Sequence, residues 1–75
     1  MAEAELDARG LSCPLPVLKA QKRLRDLPGG GRLLVRTTDP KAPDDFRHFC
    51  AERGHRLVDL AAEGEGHRIV IEKHG

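Results

Sequence analysis

The sequence predicts an α/β fold, an α+β two-layer sandwich of order βαβαββ, with a four-stranded mixed sheet and two helices on one face. Short alternating stretches at 3–8, 32–38, 55–62 and 67–73 read as strands. Two longer stretches between them repeat apolar residues at helical spacing. Glycine and proline separate the elements. A strand–helix–strand crossover makes the first two strands parallel with a right-handed connection, and a short link makes the last two antiparallel. Helices with one apolar face and alternating strands bury those faces against each other in two layers.

Taken in order, Leu6 and Ala8 share one face of the first strand. Arg9-Gly10-Leu11-Ser12 is a loop, where Gly10 permits a positive φ. The first helix is expected over Pro14–Leu27, because proline suits a first helical position. Val17, Ala20, Leu24 and Leu27 form its apolar stripe, with Lys19, Lys22, Arg23 and Asp26 away from it. Pro28-Gly29-Gly30-Gly31 stops it. These glycines follow a helix rather than open one, so they are no phosphate loop. In the second strand Leu33 and Val35 alternate with Arg32, Leu34 and Arg36.

Asp39 is a candidate cap for the second helix; alternatively Pro43 lies in its first turn, with Asp44 and Asp45 near the positive helix end. Ala42, Phe46, Phe49, Cys50 and Arg53 fall on one face, and Gly54 fits a left-handed C-cap. Gly64-Glu65-Gly66 reads as a hairpin turn. In the last strand Ile69 and Ile71 point one way, and Arg68, Val70 and Glu72 the other. The sheet face away from the helices is expected to be open.

The 75 residues make one small domain, 1–75. A chain this short buries only about 60% of its unfolded surface, so it cannot enclose a large cavity. Chemistry is expected on an exposed group that meets a partner. The net charge of +1 is neither a nucleic-acid binder's excess nor an acidic tail. Residues 1–38 hold seven basic and four acidic residues (+3), and residues 39–75 six and eight (−2). The acidic N-terminus lacks the apolar core of a secretory leader, and no apolar run approaches the roughly 20 residues that span a bilayer. A cytoplasmic location without membrane contact is therefore expected. A reducing compartment, and two cysteines without paired spacing, argue against a disulfide.

Cys13 is the candidate reactive group. It stands between Ser12 and Pro14, where a strand-to-helix loop delivers it to a helix N-terminus. Unpaired amides and the helix dipole there favour a thiolate. The Leu15 N–H is the expected donor to its sulfur, since Pro14 and Pro16 have no N–H to offer. A modest lowering of the Cys13 pKa follows, with Arg9 and Lys19 as nearby sources of positive potential. Cys50 shares an apolar helix face with Phe46 and Phe49 and is expected in the core. His48, His55, His67 and His74 form no zinc-ligand pattern with Cys50, so no metal is expected.

Leu6-Asp7, Gly10-Leu11, Cys13-Pro14-Leu15-Pro16, Asp39-Pro40, Phe49-Cys50, Gly54-His55 and Leu57 together resemble the TusA-like (SirA-like) sulfur-carrier family over almost the whole chain. The resemblance implies a fold similar to the C-terminal domain of translation initiation factor three. It implies that Cys13 carries sulfane sulfur as a persulfide, in a motif supported by Gly10, Pro14 and Pro16. It also gives the Gly54-His55 step a structural role. Some members serving tRNA thiolation carry Glu between the prolines, where this chain has Leu15. That difference leaves the pathway open among tRNA thiolation, sulfur oxidation and molybdenum-cofactor synthesis.

The expected function is thus a persulfide relay, a sulfurtransferase-type carrier rather than a self-sufficient enzyme. A donor such as a cysteine desulfurase or rhodanese-like protein loads Cys13, and an acceptor protein's cysteine unloads it. No cofactor is needed, and a monomer suits a carrier that docks with two partners in turn. Arg9, Leu15, Lys19, Lys22 and Arg23 are the expected docking residues. The competing reading is a non-catalytic module that binds RNA or a regulatory protein. The absence of Trp and Tyr, with Phe46 and Phe49 expected inside, removes the stacking platform RNA recognition uses. A thiol redox role lacks the Cys-x-x-Cys pair.

Overall fold

The computed structural model describes residues 3–75; Met1 and Ala2, where the acidic N-terminus begins, lie outside the described residues. The elements are β1 (Glu3–Ala8), α1 (Leu15–Arg25), β2 (Arg32–Thr37), α2 (Ala42–Arg53), β3 (Arg56–Glu63) and β4 (Gly66–Glu72). They form one four-stranded sheet of order β1-β2-β4-β3. β1 pairs with β2 in parallel, and β4 is antiparallel to both β2 and β3. This is the expected mixed sheet with the expected element order.

Alternation decides what is buried. Leu33, Val35 and Thr37 face the helices and are all at most 1% exposed. Leu6 and Ala8 on β1 and Ile69 and Ile71 on β4 join them through the registers Leu6↔Val35, Val35↔Ile69 and Leu33↔Ile71. The helices close this layer with Ala20 and Leu24 from α1 and Ala42, Phe46, Phe49 and Cys50 from α2. Phe46 is fully buried and meets Phe49 edge-on, with ring centroids 6.5 Å apart. Arg53, expected on this apolar face, is exposed instead. It falls in the last turn of α2, where a cation suits the helix's negative end.

The opposite sheet face is covered by cross-strand charge pairs. Arg32 meets Glu72 at 3.2 Å, Arg36 lies between Glu5 and Glu63, and Arg68 meets Asp59 at 3.3 Å. Each such pair contributes about 0–1 kcal/mol. Their larger consequence is that β2 and β4 offer no unpaired arginine on this face to a phosphate backbone. A hollow of about 420 Å³ over Leu34 and Val70 is flanked by Glu3, Glu5 and Arg32.

The ends of α1 differ from expectation. α1 begins at Leu15, not Pro14, because Pro14 stands at the N-cap and Leu15 N–H donates to Ser12 C=O at 2.9 Å. At its other end Asp26 N–H and Leu27 N–H turn back to Arg23 and Leu24, so the final turn tightens and leaves the helix. α2 starts after Lys41, with Pro43 in its first turn and Gly54 left-handed (φ 74°) behind it. In the β3–β4 hairpin Gly64 supplies the positive φ, 58°, that the turn requires. Gly66 is needed for a different reason: a Cβ there would sit 1.9 Å from the Thr37 carbonyl oxygen.

Candidate functional site

Because β1 and β2 are parallel, the loops that follow them leave the same end of the sheet. The β1–α1 loop carries Cys13, and the β2–α2 loop carries Thr38, Asp39 and Lys41. Two hydrogen bonds join the loops. Gly10 N–H, in a residue with φ 81°, donates to Thr38 Oγ1 at 2.9 Å. Cys13 N–H donates to Asp39 Oδ2 at 2.6 Å. Asp39 Oδ1 accepts from Lys41 N–H at 3.1 Å, and Asp39 N–H donates to Thr37 Oγ1. Asp39 thus holds the turn that leads into α2 with one oxygen, two residues ahead of the Lys41 N-cap, and fixes the cysteine loop with the other. A cap at Asp39 was one of two starts expected for α2; the cap position is Lys41, without a side-chain cap bond, and the other, Pro43 in the first turn, is the one found. The bond to the cysteine loop was not expected, although the parallel pairing of β1 and β2 carries its signal.

Cys13 is exposed, and Cys50 is buried at 3%. Both thiols are free. Burial pushes the Cys50 thiol up to about 11, so it is an inert core group, as expected. The expected lowering at Cys13 is overturned: its pKa is raised. The causes, in order, are hydrogen bonding to the Asp45 carboxylate, slight desolvation, and the negative charges of Asp45 and Asp39; Lys41 opposes them. The sulfur and one carboxylate oxygen each from Asp39 and Asp45 lie within 4.8 Å of one another. The amide expected to favour the thiolate, Leu15 N–H, is taken by Ser12 C=O. Arg9 adds no potential there. It grips Asp7 through two side-chain bonds of 2.9 and 3.0 Å and holds that carboxyl at about 2.

From Cys13 a cleft of about 300 Å³ runs between α1 and α2, lined among others by Val17, Gln21, Asp45, His48 and Phe49. Pro14 lines its head, while Pro16, in the first turn of α1, is buried on that helix's inner face. On the outer side of α1 lie Leu15 and Leu18, 43% and 52% exposed. Leu18 was not singled out in the sequence. It is three residues from Leu15 and off the stripe of Ala20 and Leu24, which is the helical signal that places both on the outer face. Lys19 and Lys22 are exposed on the same helix. Arg23 is also exposed, yet its guanidinium donates to Glu5 C=O at 2.9 Å, which blunts the outer edge of β1.

A family model described as sulfurtransferase TusA matches residues 4–73. The chain belongs to this family. The sulfur carrier protein TusA of Pseudomonas syringae pv. syringae is 51% identical over 61 residues, 81% of this chain and 73% of that protein. The sulfur carrier protein TusA of Allochromatium vinosum is 41% identical over 71 residues, 95% and 93% of the two chains. That of Pseudomonas fluorescens is 47% identical over 72 residues, 96% and 87%. The crystal structure of a SirA-like protein from Desulfitobacterium hafniense has the same fold. Its TM-score is 0.82, at 23% identity, over 96% of this chain and 99% of that one. Family membership makes the function sulfur relay, which requires a sulfur donor and a sulfur acceptor.

The Gly54-His55 step closes the other end of the molecule. His55 Nδ1 accepts from His74 N–H at 3.0 Å, and its ring lies 5.5 Å from Phe49. Desolvation first, then the positive neighbours His74, Lys73 and Arg53, push its pKa down. A depressed folded value means that folding favours neutral His55. This stabilisation is full above the unfolded value of about 6.5 and is lost as pH falls through the folded one. The melting temperature is therefore expected to fall between about pH 7 and pH 5. His55→Gln should flatten that slope, measured by circular dichroism melts across the range.

Proposed function

We propose that Cys13 is the residue that carries the relayed sulfur, as a persulfide, between a donor protein and an acceptor protein's cysteine. One observation supports this most: of the two thiols, Cys13 alone is exposed, on a loop tied by Gly10 and Cys13 amides to Thr38 and Asp39. The transfer moves a neutral sulfur atom. The Cys13 sulfur attacks the outer sulfur of the donor's Cys–S–SH, and a new S–S bond forms on Cys13. The donor's S–S bond breaks, and its electron pair leaves on the donor sulfur, which takes up the proton Cys13 gives up. Neither oxidant nor cofactor is consumed.

A cysteine desulfurase or a rhodanese-like protein is the donor class that supplies such a persulfide. The apolar rim of Leu15 and Leu18 beside Cys13, flanked by Lys19 and Lys22, is the docking surface. Arg9 and Arg23 contribute less, because each is engaged within the chain. An apolar rim fits recognition by another protein, and the carrier acts in the cytoplasm as a monomeric single domain. Leu15, where Glu would mark tRNA thiolation, keeps sulfur oxidation and molybdenum-cofactor synthesis as equal destinations.

The test is mass spectrometry after incubation with a cysteine desulfurase and cysteine. The wild-type chain and Cys50→Ser are expected to gain the mass of sulfur, and Cys13→Ser to gain none. Loading of Cys13→Ser, or no loading of the wild type by either donor class, would overturn the assignment.

A further inference from the structure

We infer that Asp45 is a positioning residue for the relay: facing Cys13 at the head of the interhelical cleft, it holds the empty carrier as a neutral thiol and disfavours the loaded carrier as an anion. This rests on Cys13 being the carrier.

The geometry separates the two carboxylates near the sulfur. Asp39 has both oxygens on backbone amides, Cys13 N–H and Lys41 N–H. Asp45, half-buried in the first turn of α2, takes no ion pair and no N–H hydrogen bond on its side chain among the described residues. Its oxygens are available to the thiol, within the 4.8 Å cluster. Charged and titratable groups face Cys13 from α2 and from the β2–α2 loop. From α2 they are Asp45, with His48, Glu52 and Arg53 further along the cleft. From the β2–α2 loop they are Asp39 and Lys41. α1 and its cap face it with Pro14, Val17 and Gln21, none of them charged. Negative charge therefore lies nearest the sulfur, with Lys41 the opposing cation.

The consequence differs between the two states. The Asp45 carboxylate, within 4.8 Å of the sulfur, favours the neutral thiol of an empty Cys13 over the thiolate. The thiol is then a poor nucleophile toward alkylating agents and oxidants, because the thiolate is the reactive form. A persulfide ionises more readily than a thiol, so the loaded residue meets Asp45 as an anion beside an anion. Asp45 therefore raises the free energy of the loaded form more than that of the empty one, and sulfur tends to move on to an acceptor. Exchange with a small persulfide isolates this preference: R–S–SH + Cys13–SH gives R–SH + Cys13–S–SH, with no other reactant.

The experiment compares the wild-type chain with Asp45→Asn, Asp45→Ala and the charge-retaining Asp45→Glu, each checked for native circular dichroism. The first readout is the pH profile of Cys13 alkylation by iodoacetamide, followed by peptide mass spectrometry. Asp45→Asn and Asp45→Ala should move its midpoint to lower pH and raise the rate at neutral pH about threefold or more, as removal of an adjacent unit charge does. Asp45→Glu should keep the wild-type profile. The second readout is the loaded fraction of Cys13 at equilibrium with glutathione persulfide and glutathione, which should rise in both uncharged variants. Folded Asn and Ala variants with wild-type profile and loading overturn the inference and leave the carrier assignment standing. A wild-type chain that gains no sulfur on Cys13 overturns both.

Discussion

Phe46→Ala is expected to bring the chain close to its unfolding midpoint at ordinary temperatures. Phe46 is fully buried, and with Phe49 it is one of only two aromatic residues in the chain. It fills the space where α2 lies against the sheet layer of Val35, Ile69 and Ile71. Truncating such a residue costs about 3–5 kcal/mol, the lost transfer energy plus a cavity that the surroundings fill only in part. Whole domains are stable by about 5–15 kcal/mol, and one this small belongs near the lower end. The substitution therefore removes most of the margin. Urea titration followed by circular dichroism checks it, with Phe46→Leu as the milder comparison. A midpoint shift for Phe46→Ala no larger than that of a surface substitution would show that the core is not organised around this ring.

The mixed sheet and the order of elements along the chain were legible because the signals are local. Leu33 and Val35 alternate with Arg32, Leu34 and Arg36, and that alternation is what the sheet buries and exposes. Glycines at 54, 64 and 66 stand where a left-handed cap, a turn and a close backbone approach require them. The electrostatics of Cys13 were not legible in the same way. From sequence, a cysteine before a helix meets only its own helix's amides, and the expected result is a lowered pKa. In the fold its nearest charges are Asp39 and Asp45, 26 and 32 positions later, brought there by the parallel pairing of β1 and β2. The amide expected to help is turned back on Ser12. Arg9, four residues before the cysteine, has a closer partner in Asp7. Nearness in sequence was a poor guide to which charges the sulfur meets; the parallel relation of β1 and β2, which was expected, was the better one. Part of the site was therefore derivable: two loops leaving the same edge of adjacent parallel strands must meet, and one of them holds Asp39-Pro40.

Asp39→Ala is expected to separate the reactivity of the thiol from its usefulness as a carrier. The substitution removes the acceptor of Cys13 N–H and of Lys41 N–H together. Losing a loop-to-loop bond and a helix-start bond in a partly exposed position costs about 1–2 kcal/mol, so the chain should still fold. Two effects on Cys13 then oppose each other. Loss of a negative charge near the sulfur favours the thiolate, so alkylation by iodoacetamide should rise modestly or stay level. Loss of the anchor frees the loop, leaving only the Gly10–Thr38 bond between it and β2–α2. Loading from a protein donor depends on presenting the sulfur to a partner's persulfide within a narrow geometry, where a misplacement of about 1 Å costs up to a hundredfold. Positioning should win, with desulfurase-dependent loading falling about tenfold or more while small-molecule reactivity does not fall. Asp39→Asn, which retains one acceptor oxygen, should lie between. If loading and alkylation instead drop in parallel, the bond to Asp39 serves folding of the loop rather than presentation of the sulfur.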